Sequence, residues 1–532
     1  MSANGRVVAQ GDLAPESLAY LEGEGLRVDV VAPGDDDALL RAIPQADALI
    51  AAPGSAVPAD VLRAGRRLML VARPGADVAD IDVAEATRRG VIVVHTPRSN
   101  VVSEAEQALA MLLACARDLA RTDADLRAGR WQKGRWADSG VEVRGKTLGL
   151  VGCADGSALL AESAGALGMR VLACDPRASA EAFCGSPLER DEPGRVYGES
   201  DFIVVHLPAG AETDGVVGAG EFALMKPGVR FVSLSGSDVV DRAALLGALE
   251  SGRVAAAALE VSAADLRPGD ALLAAQNVLL TAHLEASTAD ARRRAAMTAA
   301  EQVAGVLRGE FPSGAVNVPV EAGDDAGELM PYLDLCTQLG RLVVQLAGDP
   351  VGAVHVTYGG SVAYFDTHLL TLGVLAGVLA GRADGPVNFV NAKGIADACG
   401  VGATEERQSD VPDFPRLITV TAAGAGGEVS VSGTSLGREH KPRLVRVFGE
   451  DVDIAPAPRM AFLRYVDVPG VGGKLGTLLG QWGVNIGHMS VGRGRLGNEA
   501  VMALTLDSPL SAAQIDELVE HCGLEYARAV EL

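Results

Sequence analysis

The sequence is poor in aromatic residues and in positive charge. Phe, Trp and Tyr together make up 4% of the 532 residues, so the core has to be built mainly from Ala, Val and Leu. Lys and Arg number 46 against 69 Asp and Glu, which gives a formal net charge of −23. An excess of negative charge this large disfavours nucleic acids and anionic membrane surfaces as partners.

Long hydrophobic runs and paired cysteines are also missing. The most apolar stretch, about residues 369–381, is too short to cross a bilayer, and the N-terminal residues do not resemble a signal peptide. Seven cysteines are scattered along the chain without a CxxC pair, which disfavours both a disulfide framework and a zinc site. We therefore expect a cytoplasmic protein with reduced thiols, no metal and no membrane association.

Hydrophobic residues make up 48% and charged residues 22%, which are the proportions of a globular chain, and the length predicts three to four domains. In the first hundred residues, short apolar runs alternate with helix-length segments and predict buried parallel strands at 47–52, 67–73 and 90–97. A long amphipathic pattern then predicts a helix from Ser103, which suits the N-cap, to Leu119.

A second alternation of strands and helices begins at Lys146. Further strands are predicted at 147–152, 170–175, 201–208, 230–235, 254–261 and 277–283. Such a series is typical of a doubly wound dinucleotide-binding sheet. Beyond a linker at 309–327 that is rich in Gly, Pro and Asp, residues 326–455 mix helices with strands. Residues 459–532 predict the order strand, helix, strand, strand, helix, strand of a split βαβ unit.

The turn after the strand that ends at Gly152 suits a dinucleotide. A tight turn there would aim a helix N-terminus at a pyrophosphate, and Asp175 ends the next strand, where a carboxylate accepts hydrogen bonds from the ribose of NAD. Of the three glycines in the usual fingerprint only Gly152 is present, because Ala154 and Ser157 stand at the other two positions and Gly156 lies between them. A strand, turn and helix that bind no nucleotide therefore remain the alternative.

Several ordered segments resemble D-3-phosphoglycerate dehydrogenases, which belong to the NAD-dependent D-2-hydroxyacid dehydrogenases. The matching segments are 144–152, 201–215, 222–228, 239–245, 277–288 and 300–319, together with 387–401 for the intervening domain and 464–487 for the C-terminal ACT domain. The likeness implies an α/β fold with four domains. These are a discontinuous flavodoxin-like substrate domain (1–98 and 285–318), a Rossmann-type NAD domain (99–284), an α+β intervening domain (319–457) and a ferredoxin-like ACT regulatory domain (458–532).

The resemblance implies an oxidoreductase of L-serine biosynthesis that transfers a hydride between a 2-hydroxy acid and NAD. Such a reaction needs a base for the hydroxyl proton, a carboxylate that orients the base and a cation for the substrate carboxylate. His283 stands at the position of the family's catalytic histidine, and Asp265 at that of its orienting carboxylate. Glu260, His206 and Pro208 match positions that contact the cofactor.

The substrate positions match the family only in part. Asn100 and Gly75 match, but Gly236 stands where the family has the arginine that binds the substrate carboxylate, and Asp77 adds negative charge beside Gly75. Loss of such a charge-assisted contact costs about 10³-fold in rate. Two functions therefore stay open. One is an NAD-dependent dehydrogenase of phosphoglycerate or of another 2-hydroxy or 2-keto acid, and the other is a catalytically impaired paralogue that senses amino acids or binds partner subunits.

The C-terminal domain keeps the positions that the family uses for an effector. Tyr465, Asp467 and Asn485 match residues that bind L-serine in family members. The resemblance also implies a homo-oligomer, either a dimer or a tetramer. An ACT fold that only pairs subunits, without a ligand, is the alternative.

Overall fold

The structure, a computed structural model, describes most of the chain. The residues outside the description are 1–4, 12, 131–139, 154, 176–187, 189, 209, 211, 236–237, 262–265, 267–268, 276, 283, 285–287, 319–325, 349, 384, 412, 438–439 and 494–498, and for 326 and 327 only the backbone is described. Among the helices of the described chain, none combines the length and the apolar character that a membrane span requires.

Two compact units make up the structure. One comprises Met1–Arg73, Asp77–His95 and Ala299–Leu532, and the other comprises Pro74–Ala76 and Thr96–Thr298. The first unit is discontinuous because the chain leaves it after its N-terminal sheet and returns to it later. The division into four domains remains a prediction.

The N-terminal sheet is parallel, with the strand order β2-β1-β3-β4-β5 of flavodoxin-like folds. Its strands and helices are β1 (Arg6–Gln10), α1 (Pro15–Gly23), β2 (Arg27–Val31), α2 (Asp36–Ala42), β3 (Ala48–Ile50), α3 (Ala59–Ala64), β4 (Leu70–Arg73), α4 (Val83–Arg88) and β5 (Ile92–His95). Asp35 and Asp82 cap α2 and α4 by accepting the N–H of Ala38 and Glu85. The flavodoxin-like prediction is confirmed.

The second sheet, in the other unit, is also parallel and has the order β11-β10-β9-β8-β6-β7. Its strands are β6 (Thr147–Val151), β7 (Arg170–Cys174), β8 (Phe202–Val205), β9 (Val229–Ser233), β10 (Val254–Glu260) and β11 (Val278–Thr281). The accompanying helices are α5 (Val101–Ala116), α6 (Leu119–Arg127), α7 (Asp155–Ala166), α8 (Pro193–Glu199), α9 (Ala219–Leu224), α10 (Arg242–Glu250), α11 (Ala271–Ala274) and α12 (Ala289–Arg308). All six predicted strands are present, which confirms the doubly wound sheet.

The long helix predicted from Ser103 to Leu119 has different ends. Helix α5 begins at Val101 with Asn100 at its N-cap, and it ends at Ala116. The Ser103 hydroxyl lies inside the helix and forms a hydrogen bond of 2.7 Å with the Thr288 hydroxyl, so it is occupied by a tertiary contact rather than by capping.

The third sheet is mixed. Strands β12 and β13 pair in parallel and the other neighbours pair antiparallel, in the order β13-β12-β14-β15-β16-β17. The elements are α13 (Ala326–Ala347), β12 (Ala353–Gly360), α14 (His368–Val378), α15 (Ala392–Cys399), β13 (Gly402–Gln408), β14 (Arg416–Gly424), β15 (Gly427–Leu436), β16 (Lys441–Val447) and β17 (Glu450–Ile454). The most apolar stretch of the sequence forms α14, which is buried from Leu369 to Val378.

The C-terminal sheet is antiparallel, in the order β19-β20-β18-β21 of ferredoxin-like folds. Its elements are β18 (Arg459–Val466), α16 (Val471–Gln481), β19 (Ile486–Arg493), β20 (Glu499–Leu506), α17 (Ala512–Cys522) and β21 (Leu524–Glu531). This is the element order that the sequence predicts for residues 459–532.

Candidate functional site

The turn between β6 and α7 is built around Gly152. This residue has a φ of +103°, and a Cβ atom added to it would lie 2.1 Å from the carbonyl oxygen of His206 and 2.7 Å from its carbonyl carbon. The His206 N–H in turn donates to the carbonyl oxygen of Val151 at 2.8 Å. The segment that follows β8 thus runs directly against the turn, and glycine is the residue that allows both the backbone conformation and the close approach.

Helix α7 starts immediately after this turn. The Ser157 hydroxyl is 3% exposed and donates to the carbonyl oxygen of Gly152 at 3.2 Å, which ties the first helical turn to the strand end. Gly156 lies inside α7, where an added Cβ would be 3.0 Å from Oε2 of Glu104 in α5. Gly156 therefore serves the packing of two helices, and the tight turn is formed at Gly152.

Two aspartates flank the turn. Asp175 follows β7, is 5% exposed, and accepts the backbone N–H of Cys153 through Oδ2 at 3.2 Å. Asp155 begins α7, and its carboxylate pairs with Nε of Arg98 at 2.9 Å. The negative charge of Asp155 is thereby partly balanced. The N-terminus of α7 keeps the favourable dipole that it offers to an anion.

The loop after β8 carries the other predicted cofactor contacts. Pro208 is exposed, and its carbonyl oxygen accepts the Thr213 hydroxyl at 2.7 Å. The Leu207 N–H donates to the Ser235 hydroxyl, also at 2.7 Å. These bonds fix the loop that places His206 against Gly152.

A buried carboxylate lies at the end of β10. Glu260 is 1% exposed, and its Oε1 accepts hydrogen bonds from Gln107 Nε2 at 3.1 Å, from the Thr281 hydroxyl at 3.3 Å and from the Leu284 N–H at 3.2 Å. The sequence indicates Glu260 but gives no signal for Gln107 or Thr281, because their proximity depends on the packing of α5 and β11 against β10.

Of the predicted substrate residues, Gly75 and Asn100 lie on neighbouring segments. The Gly75 N–H donates to the Thr96 hydroxyl at 2.7 Å, and the Thr96 N–H donates to the carbonyl oxygen of Gly75 at 2.8 Å. Asn100 follows four residues after Thr96, at the N-cap of α5. This reciprocal pair fixes the start of the segment that leads to Asn100.

Comparison with known proteins identifies the family. Residues 109–284 match the NAD binding domain of D-isomer specific 2-hydroxyacid dehydrogenases, and residues 328–448 match the D-3-phosphoglycerate dehydrogenase intervening domain. The D-3-phosphoglycerate dehydrogenase of Archaeoglobus fulgidus is 32% identical over 530 residues, which are 99% of this chain and 100% of that protein. That of Mycobacterium tuberculosis is 38% identical over 502 residues, or 94% of each chain. The chain belongs to the D-3-phosphoglycerate dehydrogenase family.

Solved structures agree with this family on the fold. The TT0316 protein from Thermus thermophilus has a TM-score of 0.50 and 29% identity, and the match covers 58% of this chain and 99% of that one. D-2-hydroxyisocaproate dehydrogenase has a TM-score of 0.51 over the same shares at 20% identity, a likeness of fold alone.

NAD is the cofactor of this family, and the residues around Gly152 fit it. A β-carbon at position 152 would occupy the space where the turn packs closest, and the N-terminus of α7 offers N–H groups to a pyrophosphate. Asp175 lies at the end of the second strand, where a carboxylate suits the ribose hydroxyls.

Four of the predicted site positions lie outside the described residues: His283, Asp265, Ala154 and Gly236. Arg242, the nearest arginine in sequence after Gly236, is described. It starts α10 and forms an ion pair of 3.4 Å with Asp270.

The three predicted effector residues lie in the C-terminal sheet and its loops. Tyr465 is 4% exposed, and burial, together with the nearby Asp467 carboxylate, raises the pKa of its hydroxyl. Asp467 pairs with Nε of Arg493 at 3.0 Å. Asn485 is exposed, and its backbone N–H donates to Asp507 at 3.0 Å. An ammonium ligand at Asp467 would therefore compete with Arg493.

Proposed function

We propose that this chain is an NAD-dependent D-3-phosphoglycerate dehydrogenase of L-serine biosynthesis. The observation that carries the proposal is the conjunction of a Gly152 turn fitted to a dinucleotide with 32–38% identity to D-3-phosphoglycerate dehydrogenases over 94–99% of the chain. A catalytically impaired amino-acid sensor is not favoured by that full-length likeness.

The roles of the reacting residues follow the family resemblance. His283 takes the proton of the substrate's 2-hydroxyl group while the C2–O bond becomes a carbonyl, and Asp265 orients the imidazole. NAD, when bound, would supply the acceptor for the hydride of C2. Gly152 and the first turn of α7 hold the pyrophosphate, and Asp175 accepts hydrogen bonds from the ribose hydroxyls.

Gly236 leaves the substrate carboxylate without the family's arginine. Arg242 is engaged with Asp270, so it does not supply a free cation in its place. We therefore expect turnover well below that of a family member that has the arginine, because that contact acts on a desolvated anion.

An NAD titration followed by calorimetry tests the cofactor site first. Asp175→Ala should weaken NAD binding at least tenfold, since it removes the acceptor for two ribose hydroxyls. Asp397→Ala is the matched control, because Asp397 is exposed in α15 and pairs only with Lys393 among the contacts described. Absence of NAD binding to the wild-type protein at millimolar concentration would overturn the proposed function.

We also propose that the chain has the four domains given above, that it acts in the cytoplasm on a small-molecule substrate, and that it forms a homo-oligomer whose ACT domain binds L-serine. Tyr465 and Asp467, at the carboxyl end of β18, support the effector site, whereas Asn485 precedes β19 at the opposite end of the C-terminal sheet. A calorimetric titration with L-serine should give a signal that D-serine and the Asn485→Ala variant do not. An equal response to both enantiomers would count against the site.

A further inference from the structure

The hydrogen-bond network around Glu260 spans three elements that are far apart in sequence. Gln107 lies in α5, Glu260 is the last residue of β10, and Thr281 is the last residue of β11, in register with Glu260. The Gln107 amide is 3.1 Å from Glu260 Oε1 and 3.5 Å from the Thr281 hydroxyl. The network therefore sits at the carboxyl edge of the sheet, where ligands of doubly wound folds bind.

Its place along that edge is the half that receives nicotinamide. A doubly wound sheet has two mononucleotide-binding halves, one on either side of its first strand. Gly152 and Asp175 belong to the half with β6 and β7, which takes the pyrophosphate and adenosine ribose. Strands β10 and β11 belong to the other half, so the carboxylate of Glu260 faces the nicotinamide end of the dinucleotide site.

A carboxylate with 1% exposure needs donors to remain charged and fixed in place. Gln107 supplies such a donor and brings no positive charge of its own to the carboxylate. A carboxylate suits the positively charged ring of oxidised nicotinamide and the N–H groups of its carboxamide. A lysine or arginine at position 107 would hold the group equally well but cancel the charge.

The same carboxylate oxygen also fixes the backbone beyond β11. Oε1 of Glu260 accepts the N–H of Leu284, the residue that follows His283 in the sequence. One oxygen thus connects the donor from α5 with the strand end that leads to the proposed base.

We propose that Gln107 is a positioning residue, which fixes the Glu260 carboxylate at the nicotinamide end of the cofactor site. The proposal rests on NAD being the cofactor of the proposed function. It goes beyond that function because it assigns to a residue of α5 an effect on the affinity for the nicotinamide half of the cofactor.

The test compares NAD with ADP-ribose, which has the same adenosine and pyrophosphate but lacks nicotinamide. Gln107→Leu keeps the bulk and removes the donor, so it should weaken NAD about tenfold, since one charge-assisted hydrogen bond is lost, and should leave ADP-ribose affinity within about twofold. Gln107→Glu places a second carboxylate against Glu260 and should weaken NAD further than Gln107→Leu does. Gln408→Leu is the control, because Gln408 is exposed in β13 and its amide donates to Glu406 at 3.0 Å.

The pattern across the two ligands decides the proposal. Unchanged NAD affinity in Gln107→Leu, or equal losses for NAD and ADP-ribose, would overturn the positioning role. Gln107→Asn provides a second variant should Gln107→Leu not fold. Its amide is too short to reach Glu260 in the same way, so it should also lower the affinity for NAD more than the affinity for ADP-ribose. A wild-type protein that binds NAD but does not oxidise phosphoglycerate contradicts the proposed function, and the NAD to ADP-ribose ratio still decides the role of Gln107.

Discussion

Replacement of Gly152 with alanine should damage both the stability of the NAD domain and its affinity for NAD. The new methyl group would lie 2.1 Å from the carbonyl oxygen of His206, against 3.4 Å or more for an ordinary contact, and a φ of +103° is unfavourable for alanine. The backbone conformation costs about 1–2 kcal/mol and the overlap about 1–3 kcal/mol, so the variant should lose roughly 2–5 kcal/mol of unfolding free energy.

Urea denaturation monitored with and without NAD measures this loss, because NAD raises the midpoint of the transition of the domain that binds it. Gly165→Ala is the matched control. Gly165 lies in α7, and among the described residues no atom outside the backbone of its own helix lies within 4 Å of an added Cβ, so the same substitution there should stabilise by about 0.4–1 kcal/mol. A Gly152→Ala protein that is as stable as the wild type and binds NAD with unchanged affinity would refute the close approach of residue 152 to the His206 carbonyl group.

Two further substitutions test the contribution of the partly buried Asp201 charge to stability and the return of the chain at Asn317 to the N-terminal sheet. Partial burial works to raise the pKa of the Asp201 carboxyl, but the Thr147 N–H at 2.9 Å and the Lys226 ammonium at 3.1 Å hold it below its ordinary value. Asp201→Asn should therefore cost about 1 kcal/mol at neutral pH, and this cost should shrink as the pH falls below about 4, because the charge contributes stability above the unfolded-state pKa and loses it as the pH falls through the lower folded-state value. Urea midpoints measured from pH 7 downward check this, and a pH-independent difference would contradict it. Asn317 accepts a hydrogen bond from the Val93 N–H at 2.8 Å and donates to the Thr87 hydroxyl and the Val91 carbonyl oxygen. Asn317→Ala should therefore lower the free energy of unfolding by about 2–3 kcal/mol in the same assay. A loss below about 0.5 kcal/mol would argue against the return of the chain to the N-terminal sheet.

Buried parallel strands were the most predictable part of the fold. Strands such as β3 and β8 are buried at every residue and consist of apolar residues, so they appear in the sequence as uninterrupted apolar runs. Strand β2 lies at the edge of its sheet and most of its residues are exposed or half-buried, so its alternation with charged residues carries no comparable signal.

Helix ends and tertiary partners were less predictable. Ser103 has the composition of an N-cap, but its hydroxyl is engaged with Thr288, which lies far away in sequence. Likewise, Glu260 was indicated by its family position, whereas its donor Gln107 belongs to a helix whose packing only the folded chain reveals. The roles assigned to His283 and Asp265 stay predictions from the resemblance.

The rate of NADH formation from D-3-phosphoglycerate, with the product trapped, tests the central claim most directly. We predict slow turnover that requires both NAD and substrate and that is abolished in His283→Ala but kept in His355→Ala, since His355 is a half-exposed residue of β12 bonded to Thr404 and Glu406. A wild-type protein that binds NAD yet forms no NADH, or a His283→Ala protein as active as the wild type, would contradict the account.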